Sequence, residues 1–188
     1  MKQPNLETDR LFLRPFRFED ADSLVSLLKD KEISEKTRFI PYPYTFDMAK
    51  TWIGSHLDLL AQKKSMTYAV EHKKTKALIG TVGLTSEDKF SVDSSAEVGY
   101  WIGKQHWRLG YGTESVNAMI SYGFYELKLG SIFASVMQNN LGSIKLLQKL
   151  GMKKTGKKEQ YFEARKKTYN VFYYGITAQQ YLSSNEHA

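Results

Sequence analysis

The run Gln105-His106-Trp107-Arg108-Leu109-Gly110-Tyr111-Gly112-Thr113-Glu114 sets two glycines where a strand hands over to an amphipathic helix. Glycine tolerates backbone conformations closed to other residues and lets a ligand come close to the main chain. A helix start adds unpaired N–H groups and the positive end of its dipole. The pair therefore reads as an anion cradle. A Gly-x-Gly pair before a helix also serves as a plain tight turn, so the rest of the chain has to decide between the two.

About thirty residues later, Asn140-Leu141-Gly142-Ser143-Ile144-Lys145-Leu146-Leu147-Gln148-Lys149-Leu150-Gly151-Met152 reads as a second capped helix. Asn140 suits the N-cap, and Gly151 suits the position just past the end, followed by apolar Met152. Together with Trp107-Arg108-Leu109-Gly110-Tyr111-Gly112, this resembles the acetyl-coenzyme A motifs of the GNAT superfamily of N-acetyltransferases. There a glycine loop holds the pyrophosphate, and an Asn-x-x-Ser helix follows the next strand. The resemblance runs from Leu6-Glu7-Thr8-Asp9-Arg10-Leu11-Phe12-Leu13-Arg14-Pro15, similar to the opening of the RimJ/RimL branch, through Ala96-Glu97-Val98-Gly99-Tyr100-Trp101-Ile102, to about Leu182. It implies the GNAT fold, an α+β architecture with a mixed, centrally splayed sheet flanked by helices. It also implies acetyl-coenzyme A as co-substrate and no metal. One position departs from the pattern: Trp107 stands where the superfamily loop commonly carries Gln or Arg. A loop that holds phosphate through backbone N–H groups tolerates that change, and Arg108 supplies charge nearby.

The 188 residues are enough for one well-cored domain, and no linker divides them. One domain over 1–188 is expected, with its core at about 6–182. No stretch approaches the roughly 20 apolar residues of a membrane span, and no apolar signal segment follows Met1-Lys2-Gln3-Pro4-Asn5. With no cysteine, disulfides, thiolate metal sites and a cysteine nucleophile are excluded. His56, His72, His106 and His187 show no metal-ligand spacing, and a cytoplasmic setting is expected. The net charge of +7 draws polyanions, acetyl-coenzyme A and ribosomal RNA among them. Lys73-Lys74, Lys153-Lys154, Lys157-Lys158 and Arg165-Lys166-Lys167 are either that field's source or plain solvated turns.

Hydrophobic spacing supplies the elements. Leu11 to Arg14 is a short strand, Asp20 caps a helix with Ala21, Leu24, Leu27 and Leu28 on one face, and Thr45 caps a helix carrying Ala49, Trp52, Ile53 and Leu60. Between them, residues 33 to 44 read as an irregular aromatic segment, a lid or a core-capping loop. Tyr68 to Glu71 and Leu78 to Leu84 form a hairpin, and Glu97 to Ile102 a strand in which Gly99 marks a bulge or a close backbone approach. A helix from Thr113 to Leu127 ended by Gly130, a strand from Ile132 to Val136 and the Asn140 helix follow. Residues 155 to 176 are loop and strand, and Thr177-Ala178-Gln179-Gln180 opens a last helix with a capping box.

The family resemblance implies that the pantetheine arm lies between two splayed parallel strands, here Val98 to Ile102 and Ile132 to Val136. Cofactor-binding residues are then Trp101, Ile102, Arg108, Leu109, Gly110, Tyr111, Gly112, Thr113 and Asn140, with backbone N–H groups at Trp101 and Ile102 near the thioester carbonyl. Glu97 stands at a position resembling the general base of several members, and Ser143 matches the Ser that delivers a proton to sulfur. Alternatives stay open for each. Glu97 is also readable as a strand carboxylate paired with a lysine, Glu159 and Glu163 compete as bases, and Ser143 is also a capping residue. Tyr161, Tyr169 and Tyr173 are alternative proton donors, Glu114 is expected to be structural, and Lys104, His106, Lys145 and Lys149 are candidates for the phosphates. The expected acceptor is a primary amine, foremost a protein N terminus such as that of a ribosomal protein, with antibiotics or polyamines as the small-molecule alternative. A non-catalytic RNA- or ribosome-associated module and a homodimer also remain open.

Overall fold

Alternation of apolar and polar residues is strongest where a strand has one face against helices, and the computed structural model turns these stretches into one continuous sheet. It describes residues 2–185, so Met1 of the amino-terminal reading and His187 lie outside the described residues. The strands are β1 (Leu6–Glu7), β2 (Leu11–Pro15), β3 (Ser65–His72), β4 (Leu78–Thr85), β5 (Ser95–Ile102), β6 (Ser131–Met137), β7 (Lys153–Phe162) and β8 (Lys167–Thr177). Their order across the sheet is β1-β2-β3-β4-β5-β6-β8-β7. Every neighbouring pair is antiparallel except β5 and β6, which run parallel.

Helices cover both faces: α1 (Ala21–Leu27), α2 (Lys31–Lys36), α3 (Phe46–Ala61), α4 (Tyr111–Tyr125), α5 (Leu141–Lys149) and α6 (Ala178–Asn185). Ala21, Leu24, Ala49 and Ile53 bring α1 and α3 onto one face, against Ala69 and Leu78. On the other face Val116, Met119, Ile120, Leu147 and Tyr181 pack α4, α5 and α6 against Val82, Leu84, Val98 and Ile132. The expected mixed, splayed sheet flanked by helices is therefore present, with β1 and α2 as additions.

Local signals explain most of the ends. Thr45 Oγ1 accepts from the Met48 N–H at 3.3 Å to open α3. Thr177 and Gln180 exchange side-chain and backbone hydrogen bonds at 3.0 and 3.2 Å, a reciprocal capping box for α6. At the end of α5, Gly151 takes φ of 78° and the Met152 N–H returns to Leu147 O at 3.1 Å, a Schellman turn that buries Met152.

Four expectations are corrected. Residues 33–44 are not wholly irregular, because Asp30 caps α2 through the Glu32 N–H at 3.0 Å and the helix buries Ile33 and Ser34. Asp20 makes no cap bond to α1; its carboxylate is turned to the buried Arg14, with both oxygens held at 2.8 Å. Helix α4 starts at Tyr111 rather than Thr113, and Lys128 at φ of 55°, not Gly130, turns the chain out of it. Gly99 marks no bulge: Gly83↔Gly99 sits in an unbroken register from Gly80↔Ile102 to Thr85↔Glu97.

Candidate active site

Between β5 and α4 the chain makes a loop whose amides face no acceptor. Among the described residues, the backbone N–H groups of Arg108, Leu109, Gly110, Tyr111, Gly112 and Thr113 have no protein partner, whereas those of Trp107 and Glu114 bond to Lys104 O and Gly110 O. Six such donors in succession at the positive end of a 15-residue helix have the chemistry of an anion cradle. The left-handed positions are Arg108, at φ of 62°, and Gly110, at 85°. Gly112 has ordinary helical geometry instead; a Cβ there would meet Leu146 Cδ1 at 3.1 Å, so its smallness serves the approach of α4 to α5.

The loop is braced from the other end of the chain. Arg10 donates to Leu109 O at 2.9 Å and to Glu114 Oε2 at 2.7 Å, while the Arg10 N–H and the Thr8 hydroxyl both reach Glu114 Oε1. Burial alone would raise the Glu114 pKa, but the hydrogen bonds from Thr8 and Arg10 bring it below the usual range. Glu114 is thus structural, as expected, and its charge is cancelled before it can oppose a phosphate. The Arg10 guanidinium also lies 4.6 Å from the centre of the Tyr111 ring, with His72 and His106 at the ring's edges.

The parallel pair β5 and β6 stays in register only for Ser95↔Ser131, Ala96↔Ile132 and Glu97↔Phe133. Beyond that the strands part, and the Ser135 N–H, next in line for a parallel ladder, is taken at 3.2 Å by Glu97 Oε1. The Ser135 hydroxyl donates to the same oxygen. Glu97 therefore bridges the two strands at the point of the fork, and no lysine pairs with it. Glu97 Oε2 is left for another donor.

A cavity of about 460 Å³ passes through this fork. Glu97, Gly99 and Trp101 line it towards α1 and α3, together with Trp52, Tyr44, Phe39 and Phe162; Val98, Tyr100, Asn140 and Ser143 line it towards α5. A Cβ on Gly99 would meet nothing within 4 Å, so the main chain there lies open to whatever occupies the cavity. Because the Gly103 N–H donates to Ile79 O, alternation along the β4–β5 ladder turns the N–H of Trp101 towards β4 and those of Tyr100 and Ile102 towards the gap, while that of Val98 faces the last paired rung with β6. Of the two residues expected to offer amides to a carbonyl, Ile102 thus points the right way and Trp101 contributes its side chain.

Asn140 caps α5, accepting from the Ser143 N–H at 3.2 Å, and its amide nitrogen donates to Lys36 O at 3.3 Å. That second bond ties the segment after α2 to the cavity wall. Arg165 of the β7–β8 turn donates to Thr37 O and lies 5.7 Å from the Phe162 ring centre, so residues 37–40 form a strap over the cavity mouth. Ser143 Oγ lies 2.6 Å from the Tyr100 hydroxyl. Burial pushes the Tyr100 phenol well above its ordinary range, the bond to Ser143 opposing in part.

The other expected players are elsewhere. Glu159 and Glu163 do not line the cavity, nor do Tyr161, Tyr169 and Tyr173; Tyr173 accepts from Gln160. Trp107 Nε1 donates to Ile102 O at 2.6 Å, giving the unusual loop residue a clamping role at the strand end. Lys104 is occupied by Asp30 and Glu32 at 3.2 and 3.0 Å, and Lys145 and Lys149 are exposed. Arg10, Tyr100 and Ser135 were not singled out by the sequence as site residues. Only Tyr100 left a trace, as the residue after Gly99 on the strand facing the glycine loop's helix. Among the described residues no group of three or more His, Asp or Glu is placed to hold a metal, and no helix is long and apolar enough to cross a membrane.

Comparison with known proteins bears on the same features. The model of the acetyltransferase (GNAT) domain matches residues 10–153. The uncharacterized N-acetyltransferase p20 of Bacillus licheniformis is 32% identical over 176 residues, covering 94% of this chain and 97% of its own. RimL, the ribosomal L7/L12 alpha-N-protein acetyltransferase solved in complex with coenzyme A, is similar with a TM-score of 0.80 at 13% identity, over 93% of this chain and 98% of its own. Spermidine N-acetyltransferase from Vibrio cholerae, solved with CoA and spermine, gives 0.76 at 22% identity, over 93% and 99%. The forked parallel pair, the amide-rich loop at the start of α4 and a family match over most of the chain together make this protein a member of the GNAT family of acetyltransferases, an acyltransferase by class.

Proposed function

We propose that the chain is a single acetyl-coenzyme A-dependent N-acetyltransferase domain of the RimJ/RimL type, working in the cytoplasm and transferring acetyl directly to a protein N-terminal α-amine such as that of a ribosomal protein. The observation that carries the co-substrate is the row of six unpartnered N–H groups from Arg108 to Thr113. Those amides, with Arg108 beside them, suit a pyrophosphate. Acetyl-coenzyme A supplies an activated acyl group on a thioester. The open backbone at Gly99 lines the fork where its arm fits, and the amide of Ile102 faces the same gap further along β5.

The residues then divide the work. Glu97 Oε2 takes the proton from the attacking amine, directly or through water, while Oε1 stays on Ser135. The Tyr100 N–H, which faces the gap nearer Glu97, meets the carbonyl oxygen as charge develops on it, and the Ile102 N–H, roughly 17 Å along the strand from Glu97, meets the arm instead. Ser143 hands its hydroxyl proton to the departing sulfur and recovers one from solvent. At neutral pH an α-amine of pKa about 7.8 keeps a sizeable neutral fraction, whereas a lysine of pKa about 10.4 keeps about one part in a thousand. A single carboxylate base therefore suits an N-terminal amine. The cavity supports the same choice against a polyamine, because among the described residues Glu97 is the one carboxylate lining it, while Lys36 and Arg38 also line it.

The test is a thermal shift with acetyl-coenzyme A, followed by an amine panel read by thiol release. At a hundredfold excess over Kd the ligand stabilises the fold by about 2.7 kcal/mol. No shift at saturation removes the co-substrate. A shift with thiol release on spermidine but not on N-terminal peptides moves the acceptor to small amines.

A further inference from the structure

Ser143 sits at the third position of α5, where a serine ordinarily helps to cap its own helix. Here it does not. The Ser143 N–H is satisfied by Asn140 Oδ1, and among the described residues Ser143 Oγ has one partner, the Tyr100 hydroxyl at 2.6 Å. Tyr100 comes from a different element, β5, and its hydroxyl likewise has this one partner. Both line the cavity at the fork. We propose that Tyr100 is a positioning residue for acetyl transfer: its O–H donates to Ser143 Oγ, which leaves the Ser143 O–H as the one donor of the pair and aims it into the cavity towards the sulfur. The inference rests on the role given to Ser143 above.

The direction of the bond follows from chemistry. A phenol O–H is more acidic than an aliphatic one and is the better donor to a neutral acceptor. Burial keeps the proton on the ring, since the phenol is pushed up rather than down. Tyr100 therefore stays protonated at neutral pH, and no proton needs to leave it. A serine hydroxyl that accepts from Tyr100 can no longer turn its own proton back along that line. Its O–H is pre-oriented before the acyl group arrives, which is how hydrogen-bonded side chains of this kind contribute to a transition state. The arrangement also couples two walls of the cavity, β5 and α5, through one short bond. Sequence motifs cannot show it, because residues 100 and 143 lie 43 apart.

The experiment compares Tyr100→Phe, Ser143→Ala and the double variant in the full chain, with acetyl-coenzyme A affinity from the thermal shift and kcat and KM for the best amine of the panel. Phenylalanine fills the same space, and the thermal shift confirms that each variant is folded and binds. The expected result for Tyr100→Phe is a fall in kcat of about tenfold, the worth of one hydrogen bond, with KM and acetyl-coenzyme A affinity nearly unchanged. On the Ser143→Ala background the same substitution should have no further effect, since it acts through Ser143. Effects that multiply independently, or an unchanged kcat in Tyr100→Phe, overturn the proposal. An unaltered kcat in Ser143→Ala overturns it together with the role of Ser143, yet leaves the acetyl-coenzyme A reading intact, because the thermal shift reports on that alone. Should Tyr100→Phe fail to fold, Ser143→Thr, which keeps the hydroxyl, must retain activity that Ser143→Ala loses; equal loss in both overturns the pairing.

Discussion

Glu97 has two tasks in this structure, and two substitutions separate them. As a proposed base it needs a free carboxylate oxygen; as a bridge it needs an acceptor for the Ser135 N–H and hydroxyl. Glu97→Gln keeps an acceptor oxygen on Ser135 and removes the base. Its stability should lie within about 1 kcal/mol of the parent, and its turnover should drop roughly a hundredfold at neutral pH. Raising the pH through the amine's pKa of about 7.8 should recover much of that loss, because solvent then deprotonates the acceptor unaided. Glu97→Ala removes both functions. It leaves the Ser135 N–H unpaired beside the cavity, at a cost of about 1–3 kcal/mol for a buried donor. Because the fork opens to the cavity and water can enter, the lower half of that range applies. For a chain of this size each kcal/mol moves Tm by roughly 2–4 °C, so the alanine variant should melt several degrees below the glutamine variant. The assays are thermal denaturation and thiol release across pH 7 to 9, on the same preparations. If the two variants melt together, Glu97 is not holding the fork. If the glutamine variant turns over like the parent at every pH, the base is elsewhere, and the whole proton route has to be redrawn.

Two further outcomes follow from the same structure. Gly110→Ala places a Cβ at φ of 85°, 3.1 Å from Arg10 Nη2, and should cost about 1–2 kcal/mol and weaken acetyl-coenzyme A binding; Gly112→Ala meets side-chain atoms of Leu146 and Ile102 at 3.1 and 3.7 Å without backbone strain and should cost some packing but less affinity, so equal affinity losses in the two would contradict the assignment of the left-handed turn. Acid should destabilise the fold in two stages. Burial draws His56 down from 6.5 to about 4, so the unfolded chain takes up a proton first and stability falls as pH drops between those values. Asp20 follows: burial would raise it, but Arg14 and the Arg17 N–H bring it below 3.8, so its contribution is present above 3.8 and lost as pH falls further. Urea midpoints at pH 7, 5 and 3.5 check this, and His56→Phe should flatten the first stage alone; an unchanged slope between pH 7 and 5 would clear His56.

Much of the fold was legible because its signals are local. Thr45, Asn140, Gly151 and the Thr177/Gln180 pair act within four residues of themselves, and a cap or a Schellman turn is written in the residues that make it. The misreadings occurred where a distant partner outbid a local one. Asp20 looks like an N-cap because aspartate before an apolar run usually is one, but the Arg14 guanidinium, buried nearby with Glu71 on its other side, offers a charged donor that a backbone N–H cannot match. Gly130 looks like a helix stop; it is small because Asp93 O passes 2.6 Å from where its Cβ would stand. The short helix α2 was hidden by the aromatic and proline-rich residues that follow it.

The site divides along the same line. The row of unpartnered amides is a property of one loop, and it falls where the glycine pair stands, although the left-handed positions are Arg108 and Gly110 rather than both glycines. The fork is a property of two strands. Period-two alternation treats β5 and β6 as separate objects and carries no term for whether their backbones stay paired. Where they part, a side chain, Glu97, takes the N–H that the next rung would have used, from a residue 38 positions away. The same separation hides the bracing of the glycine loop by Arg10, 104 residues before Glu114. A chain therefore writes its unpartnered amides in plain local sequence, but the gap between its strands exists only once the sheet has formed. A carboxylate at the end of the last paired rung both holds the Ser135 N–H where the gap begins and lines the cavity beyond it, which is why one residue could be singled out for its chemistry while its structural task went unseen.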